Sequence, residues 1–308
     1  MRAKQKTIYH DASIPIDLSL HKPYNYAFSP TGESYWQRVM RLATGSIVVT
    51  KTTQSEPMVR RLKTVIQSES KLNLKEIEEV KQRIAFELGV NDQFSVLKVI
   101  ARNDVIFRDA LYSIQGYRLY ANSSMLETVM GVYLSQTHSP SSYRKIRESF
   151  LMDYGDSVPW NRNLWVFPKR SKLIDLSDDE WSELRLGKQE EYIRSALDNL
   201  HLIGTFAHYP DQKRGFDNLK QIFGVGEYTA RSVMTYGARK YRYTPLDHIV
   251  RELISELYEL HENINYGVFD QWAWKKFGSN PALPIHVLLT AYWPKYLKDI
   301  HLEMKLKY

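Results

Sequence analysis

Residues 214–254 contain the residue types best suited to chemistry, and they read RGFDNLKQIFGVGEYTARSVMTYGARKYRYTPLDHIVRELI. Two helical patterns flank the run Gly224-Val225-Gly226, and its glycines allow the backbone to turn tightly. A helix that begins near Glu227 would present uncovered backbone N–H groups, and its dipole adds to their affinity for a phosphate. Val225 would pack between the two helices. A plain turn between helices is the alternative interpretation, since glycine is common at helix C-termini.

Asp247 is the candidate catalytic residue of the same stretch. It follows Thr244-Pro245-Leu246 at the start of a helical pattern over 247–257. A carboxylate held at a helix N-terminus beside a cleft can stabilise a developing positive charge or activate a water molecule. Thr-x-x-Asp is also a capping box with Pro245 at the first helical position, which would give Asp247 a structural role.

The composition fits a polyanionic partner and excludes several kinds of site. The chain has 308 residues, a net charge of +7, 21 Tyr and 7 Trp, and such basic, aromatic surfaces suit phosphates and bases. Cysteine is absent, which excludes disulfides, thiolate zinc sites and a cysteine-held iron–sulfur cluster. No apolar run is long enough to span a membrane, and the basic N-terminus lacks the apolar core of a secretory signal. We therefore expect an intracellular protein, in the cytoplasm or nucleoid, or in a nucleus.

The elements that position these residues divide the chain into two parts. The β-branched run 45–50 predicts a strand, whereas the spacing over 58–66 and 74–88 predicts helices. From about residue 91 onward the apolar spacing is almost entirely helical, and Ser177-Asp178-Asp179-Glu180 forms a capping box. The sequence therefore predicts a small α+β domain over 1–90 followed by a helical domain over 91–308.

Several motifs in this order resemble the helix-hairpin-helix DNA glycosylases. GVGEYTA followed by PLDHIVREL resembles their hairpin-plus-aspartate motif. The run LETVMGVYLSQ (126–136) is similar to the family's helix that ends in Ser-Gln, and Trp165-Val166-Phe167-Pro168 resembles the segment before the hairpin. IHVLLTAYW (285–293) is similar to the C-terminal helix of bacterial 3-methyladenine DNA glycosylase II. The resemblance covers about residues 95–296 and extends to 8-oxoguanine glycosylase-like proteins.

The resemblance implies an α+β fold and a base-excision activity. The expected architecture is an N-terminal TBP-like sheet domain and a mostly helical two-lobed glycosylase domain, with the hairpin at 214–237. The expected partner is double-stranded DNA containing a damaged base, bound by a monomer. The enzyme would flip the base and hydrolyse its N-glycosidic bond, with Asp247 stabilising the sugar cation and orienting water.

The resemblance also assigns DNA contacts. The hairpin residues Gly224, Val225, Gly226 and Thr229 would grip a backbone phosphate, with a monovalent cation as a further possibility at the hairpin carbonyls. No other metal or cofactor is expected. The loop Gln136-Thr137-His138 would fill the gap left by the flipped base, although Gln136 could instead cap the next helix. Arg251, one turn after Asp247, could pair with Asp247 or touch a phosphate.

The base pocket follows the family pattern less closely. Bifunctional members carry a lysine two residues after the second hairpin glycine, and Tyr228 stands there, so the resemblance implies a monofunctional enzyme. Tyr228 would contact the base, with a core role as the alternative. Ser232 and Leu288 stand where the family has pocket aromatics. The candidate pocket residues are these three with Trp160, Trp165 and Tyr292, and Trp272 and Trp274 are further candidates.

The departures at Ser232 and Leu288 leave the lesion open. Alkylated purines are the first expectation, and oxidised purines, hypoxanthine and uracil stay alternatives. Two other functions also stay open: a bifunctional 8-oxoguanine glycosylase/lyase that uses Lys220 or Lys240, and a damage-binding protein without catalysis. We assign no role to His248, and we expect His286 to be structural.

Overall fold

The protein is described by a computed structural model covering residues 3–20, 35–92, 94–136, 140–184, 186–204, 211–261 and 264–292. Within these residues, an antiparallel four-stranded sheet comes first and a mostly helical part follows. This order confirms the predicted α+β class. The domain bounds at residues 90 and 91 stay a prediction.

The sheet has the strand order β1-β4-β3-β2. Its strands are β1 (Lys4–Ile16), β2 (Tyr35–Arg41), β3 (Ile47–Thr53) and β4 (Val59–Ser68). The helix predicted over 58–66 is therefore wrong. Leu62, Thr64 and Ile66 point inward at every second position, and β4 pairs with β1 on one side and β3 on the other. The alternating burial of its side chains and the hydrogen bonds to two neighbouring strands outweigh the helical spacing of the apolar residues in this segment.

Helix α1 (Leu74–Glu87) covers one face of the sheet, which confirms the helix predicted over 74–88. Asn73 and Glu76 form its capping box, so the exposed N–H groups of its first turn are satisfied. Val80 and Ile84 are fully buried against the sheet residues Leu62 and Ile66. The opposite sheet face packs on a hairpin of two short strands, β5 (Asp156–Val158) and β6 (Asn161–Val166).

The helical part surrounds one large apolar core that begins at Phe94. Its helices in the described residues are α2 (Ser95–Asn103), α3 (Val105–Ser113), α4 (Met125–Gln136), α5 (Pro140–Tyr154), α6 (Arg170–Ile174), α7 (Asp178–Glu183), α8 (Lys188–Asp198), α9 (Leu200–Ile203), α10 (Gln212–Lys220), α11 (Glu227–Tyr236), α12 (His248–Tyr258) and α13 (Tyr266–Phe277). Residues 282–292 are also helical. The predicted capping box at Ser177 and Glu180 forms at α7. Among the helices that the structure describes, none is both long and apolar enough to cross a membrane.

A buried ion cluster joins the sheet to the helical part. Arg38 of β2 donates to Glu87 at the end of α1, and its two terminal nitrogens bond both carboxylate oxygens of Glu127 in α4. It also donates to Asn122, and Trp36 donates to Glu87 at 2.9 Å. Because these groups are excluded from water, each charge depends on its partners, and the cluster fixes α4 relative to the sheet.

Candidate active site and nucleic-acid interface

The hairpin between α10 and α11 has the geometry that its glycines predict. Gly224 has a φ of +82°, which favours glycine, and a Cβ there would lie 2.2 Å from the Tyr192 ring. Gly226 differs, because its φ is −77° and a Cβ there would meet nothing within 4 Å. Gly226 is also the N-cap of α11 and supplies no side-chain cap. The N-terminus of α11 therefore faces open space, which an anion could enter.

The hairpin contacts the end of the predicted wedge helix. Gln136, the last residue of α4, donates from Nε2 to the Thr229 hydroxyl at 2.7 Å. Thr229 is 2% exposed, so Gln136 rather than solvent is the neighbour of its hydroxyl. Val225 is buried in the core, as expected for the residue between the two glycines. Thr137 and His138, the other predicted wedge residues, lie outside the described residues.

Asp247 is itself the N-cap of α12, so the capping box predicted from Thr244 is wrong. The Asp247 carboxylate accepts a hydrogen bond from the Val250 N–H at 2.9 Å, and the helix begins at His248. Thr244 is fully buried, and its hydroxyl has no hydrogen-bond partner among the residues that the structure describes. The helix begins within one residue of the predicted 247–257 and not at Pro245, because tertiary hydrogen bonds hold residues 242–246 in a non-helical conformation.

Those five residues, the lead-in segment (242–246), are held through their carbonyls. From α13, Trp274 donates to the Arg242 carbonyl at 3.0 Å and Tyr266 donates to the Leu246 carbonyl at 3.1 Å. From α11, Thr235 donates to the Tyr243 carbonyl and Arg231 to the Thr244 carbonyl, both at 3.3 Å. These side chains fix the backbone immediately before Asp247, so α11 and α13 together position the carboxylate.

Arg231 is the centre of this arrangement. It forms two parallel hydrogen bonds with Asp270 of α13, at 2.7 and 2.8 Å, and it bonds Glu227 one turn earlier in α11. Its guanidinium lies 4.3 Å from the centre of the Tyr266 ring. The i,i+4 spacing of Glu227 and Arg231 is a local sequence signal for this ion pair. The partner in α13 had no local signal, because it lies 39 positions away.

Glu227 is the one acidic residue in the first turn of α11, where it could repel a phosphate. Lys220 bonds its other oxygen at 3.1 Å, so two cations hold the carboxylate. Burial alone would raise the pKa of Glu227, but the hydrogen bonds from Arg231 and Lys220 lower it overall. The carboxylate is therefore neutralised locally, which leaves the N-terminus of α11 compatible with an anion.

Burial raises the pKa of the Asp247 carboxyl above that of an ordinary aspartate. The backbone N–H of Val250 and the neighbouring His248 oppose this effect without cancelling it. The side chain is only half-buried, so a reactant can still approach. A partly desolvated carboxylate with a raised pKa is a stronger base than a solvated one.

The structure gives Arg251 different partners from the predicted ones. Its guanidinium donates to the Ile264 carbonyl and lies 5.6 Å from the centre of the Tyr266 ring. The predicted Asp247–Arg251 ion pair does not form in the described structure. The reason is geometric, since the segment before α13 offers Arg251 a carbonyl acceptor. A phosphate contact from Arg251 stays a prediction.

The predicted base-pocket residues have different surroundings, and the pocket itself stays a prediction. Tyr228 is half-buried beside the core. Burial raises the pKa of Tyr266, and Tyr228 contributes electrostatically in the same direction. Ser232 is fully buried, and its hydroxyl has no partner in the described part of the chain. Leu288 is fully buried in the main core, and Tyr292 donates to the Ile106 carbonyl at 3.1 Å.

The tryptophan candidates also have packing partners. Trp160 packs with Val39 and Val49 of the sheet, and Trp165 lines a small cavity with Arg147 of α5. These positions favour structural roles for both tryptophans. Their pocket role, like that of Ser232, Leu288 and Tyr292, stays a prediction.

His286 is a structural residue, as expected. Its two ring nitrogens lie 2.6 Å from the Tyr236 hydroxyl and 2.6 Å from the Ala282 carbonyl. Burial lowers the pKa of His286 to about 4, so the ring is neutral near pH 7. The carbonyl can only accept, so Nδ1 carries the proton and Nε2 accepts from Tyr236.

The sheet, the helical part and the hairpin together give the chain the fold of the helix-hairpin-helix DNA glycosylases, which confirms the resemblance at the level of fold. The 8-oxoguanine glycosylase/lyase of Clostridium acetobutylicum matches with a TM-score of 0.71 and 16% identity, over 94% of this chain and 99% of that chain. The same protein bound to double-stranded DNA containing cytosine opposite 8-oxoguanine also matches with a TM-score of 0.71. The 3-methyladenine DNA-glycosylase of Archaeoglobus fulgidus matches with a TM-score of 0.73 and 19% identity, over 92% and 98% of the two chains. No protein-family model matches the chain, and no curated protein matches it.

Proposed function

We propose that this protein is a monofunctional DNA glycosylase that hydrolyses the N-glycosidic bond of a damaged base. The observation that carries the proposal is Asp247, a half-buried helix-capping carboxylate with a raised pKa. Asp247 directly follows the lead-in segment, which side chains of α11 hold in place. The N-terminus of this helix is open and suits a phosphate. The shared fold with 8-oxoguanine and 3-methyladenine glycosylases supports the same function.

DNA binding would begin at the hairpin. One backbone phosphate would accept hydrogen bonds from N–H groups at the start of α11, with Gly226 allowing close approach. The Ile222 and Gly224 carbonyls each accept one hydrogen bond within the turn, from Val225 and Gly226. A carbonyl oxygen has a second lone pair, so this turn also fits the proposed monovalent cation, which would add positive charge beside the phosphate. Gln136 would fill the space of the flipped base from its place beside Thr229.

The bond between the sugar C1′ and the base nitrogen would then break, and the electron pair would leave with the base. Asp247 would stabilise the positive charge that develops on the sugar and accept a proton from the attacking water. The products are the free base and an abasic site. Damaged and mispaired bases flip at a lower cost, which contributes to selectivity.

The residue at the lysine position of bifunctional enzymes supports hydrolysis without strand cleavage. A Schiff base needs an amine aimed at the sugar, and Tyr228 has none. Lys220, one of the two alternative lysines, pairs with Glu227. Because one structural relative is described as a glycosylase/lyase, a lyase activity is the second candidate function.

The substrate would be double-stranded DNA with an alkylated, deaminated or oxidised purine, bound by a monomer. Ser232 and Leu288 are fully buried and have no aromatic face for stacking, whereas Tyr228 is half-buried and is the second residue of α11, next to the proposed phosphate site. We therefore expect base contacts from Tyr228 more than from the other candidates.

The test uses short duplexes that each contain one lesion: 7-methylguanine, 3-methyladenine, hypoxanthine, 8-oxoguanine or uracil. Base release is measured as strand breaks with and without hot alkali. We expect breaks only after alkali, and we expect Asp247→Asn to slow release by about 10²- to 10⁴-fold. The matched control is Asp198→Asn, which neutralises an exposed carboxylate in α8.

Borohydride treatment separates the alternatives. Covalent trapping of the protein on lesion DNA, with breaks before alkali, would show a lyase and contradict the monofunctional proposal. Tight lesion binding without release from any duplex would show a damage-binding protein instead.

A further inference from the structure

A second cavity, of about 660 Å³, lies away from the hairpin and Asp247. The end of β1, the helices α2 and α3, and the segment 114–118 form its walls. This volume falls within the range of about 300–1,000 Å³ that is typical of small-molecule sites.

The walls of this cavity are positively charged. Lys98 and Arg102 of α2, Arg108 of α3, and Arg118 line it. Of the residues that the structure describes along the cavity, none is Asp or Glu. Arg108 approaches Asp109 only at 3.8 Å, and both side chains are exposed, so this contact neutralises little charge.

Arg118 is the strongest indication of a ligand. It is only 2% exposed, and its terminal nitrogens donate to the backbone carbonyls of Tyr117, Ile14 and Pro15. Its Nε has no hydrogen-bond partner in the described part of the chain. Burial lowers the pKa of Arg118 to about 10.

Among the residues that the structure describes, no carboxylate pairs directly with Arg118. The carboxylate that acts on it electrostatically, Asp92, bonds Arg239, and the repulsion from Arg239 opposes the attraction from Asp92. A buried charge is costly unless it is paired, so an anion in this cavity would complete the interactions of Arg118.

The rest of the wall suits an apolar body attached to that anion. The Phe94 ring lies 4.1 Å from the Arg118 guanidinium, and Leu97, Leu111 and Ile114 extend the apolar surface. Tyr112 also lines the cavity and is 63% exposed, so a ligand could cover it.

We propose that this cavity binds a small organic anion with a flat apolar body and a carboxylate, sulfonate or phosphate head. The head would lie against Arg118, Arg102 and Lys98, and the body would lie along Phe94 and Leu111. The proposal is independent of the glycosylase activity, because the residues described along the cavity include none from the hairpin, α11 or α12.

The experiment titrates 1-naphthoate into the full chain by calorimetry and compares it with the neutral analogue 1-naphthamide. We expect one site per chain, and naphthamide binding weaker by about tenfold or more, because the neutral amide loses the charge-assisted hydrogen bonds. The double variant Lys98→Gln/Arg102→Gln, at two exposed positions, should lose about tenfold in naphthoate affinity. The charge-matched control Lys71→Gln/Lys75→Gln, at exposed positions around the start of α1, should bind as the wild type does.

Three results would overturn the proposal: no naphthoate binding at millimolar concentration, equal binding of naphthamide, or unchanged binding by the Lys98/Arg102 variant. Competition with a short undamaged duplex gives a separate check. Displacement of naphthoate by DNA would show that the cations belong to the DNA surface, and continued binding supports a separate site. Because both double variants change only exposed residues, their melting temperatures verify that the fold is intact.

Discussion

At the scale of the residue, Asp247 combines an observed structural role with the chemical role that we propose for it. As the N-cap of α12 it accepts the Val250 N–H, which stabilises the helix start and lowers the carboxyl pKa. Burial acts in the opposite direction and is the larger effect. The sequence supported both a capping and a catalytic interpretation of Asp247. The structure contains the cap, and the raised pKa of the carboxyl is a property that capping does not require.

The raised pKa predicts the pH dependence of base release. Asp247 acts in its ionised form, so kcat/KM should fall as pH falls through the Asp247 pKa. Because burial raises that pKa, the fall in kcat/KM should occur at a pH above the ordinary aspartate pKa of about 3.9. A pH series of single-turnover rates on the best lesion duplex measures it. An acid limb at or below the ordinary value would contradict the prediction.

The same shift predicts the stability of Asp247→Asn. A folded-state pKa above the unfolded value means that the ionised carboxyl destabilises the folded protein at neutral pH, and that this cost disappears in acid. Asparagine is also a good N-cap. We expect Asp247→Asn to melt at or above the wild-type temperature at pH 7, while activity is lost. A clear drop in melting temperature would show that the carboxylate stabilises the fold.

Tyr266 is predicted to be a positioning residue. Tyr266→Phe removes the hydrogen bond to the Leu246 carbonyl, next to Asp247, and keeps the ring beside Arg231. We expect the single-turnover rate to fall about tenfold, because small misplacements of a catalytic group are costly. DNA affinity should stay unchanged. Tyr154→Phe is the control, since it also removes a hydroxyl–carbonyl bond, at 3.1 Å to Glu180, and should leave the rate intact. Equal loss in both variants would indicate general destabilisation.

At the scale of the element, different glycines of the hairpin serve the turn and the proposed phosphate site. Its two glycines have different surroundings, since Gly224 is constrained by its positive φ and by Tyr192, whereas Gly226 faces open space. The phosphate-binding role can therefore be tested without disturbing the turn. The hydrogen bond from Gln136 to Thr229 connects the end of α4 to α11, so a displacement of α4 would also displace the start of α11.

The two glycine-to-alanine variants should behave differently. Gly224→Ala should lower the free energy of unfolding by more than about 1 kcal/mol, through backbone strain and the clash with Tyr192. Gly226→Ala should cost less than about 1 kcal/mol, since alanine is only a poorer N-cap than glycine, yet it should weaken DNA binding because the methyl group obstructs the N-terminus of α11. Urea unfolding and DNA-binding titrations measure both effects. Unchanged DNA affinity in Gly226→Ala would argue against phosphate binding at this turn.

At the scale of the whole molecule, the Arg38 cluster makes the sheet and the helices one unit. The ion pairs lie out of water, so removing one partner leaves the others buried and unpaired. Through Glu127 the cluster also reaches α4, which ends at Gln136. The N-terminal sheet therefore fixes the helix that carries the predicted wedge residue Gln136.

We expect Arg38→Met to lower the free energy of unfolding by about 3–5 kcal/mol, because Glu87 and Glu127 lose their cation. Arg61→Met is the matched control, since Arg61 is exposed and pairs with Asp11 only at 3.6 Å, so the expected change is below about 0.5 kcal/mol. Denaturant unfolding checks both. Similar losses in the two variants would show that the buried cluster adds no more stability than a surface pair.

The sequence by itself determined the α+β class, the hairpin, the start of α11 and the candidacy of Asp247. These features depend on local patterns, such as glycine spacing and helical periodicity, which operate within a few residues of one another. The same local patterns predicted a helix over 58–66 and a capping box at Thr244, and both were wrong. In each case distant partners outweighed local preference: the neighbouring strands β1 and β3, and the side chains that hold the lead-in segment.

Only the tertiary structure decided how Asp247 is held. Arg231 meets Asp270 across 39 positions, and Tyr266 reaches Leu246 across 20. Neither pair has a sequence signal, because such contacts arise when α11 and α13 pack around residues 242–246. The Arg118 cavity had no sequence signal either, since its cations come from α2, α3 and the segment 114–118. Local sequence sets which elements form, whereas the surroundings of a charge, and therefore its pKa and its partners, depend on how those elements pack.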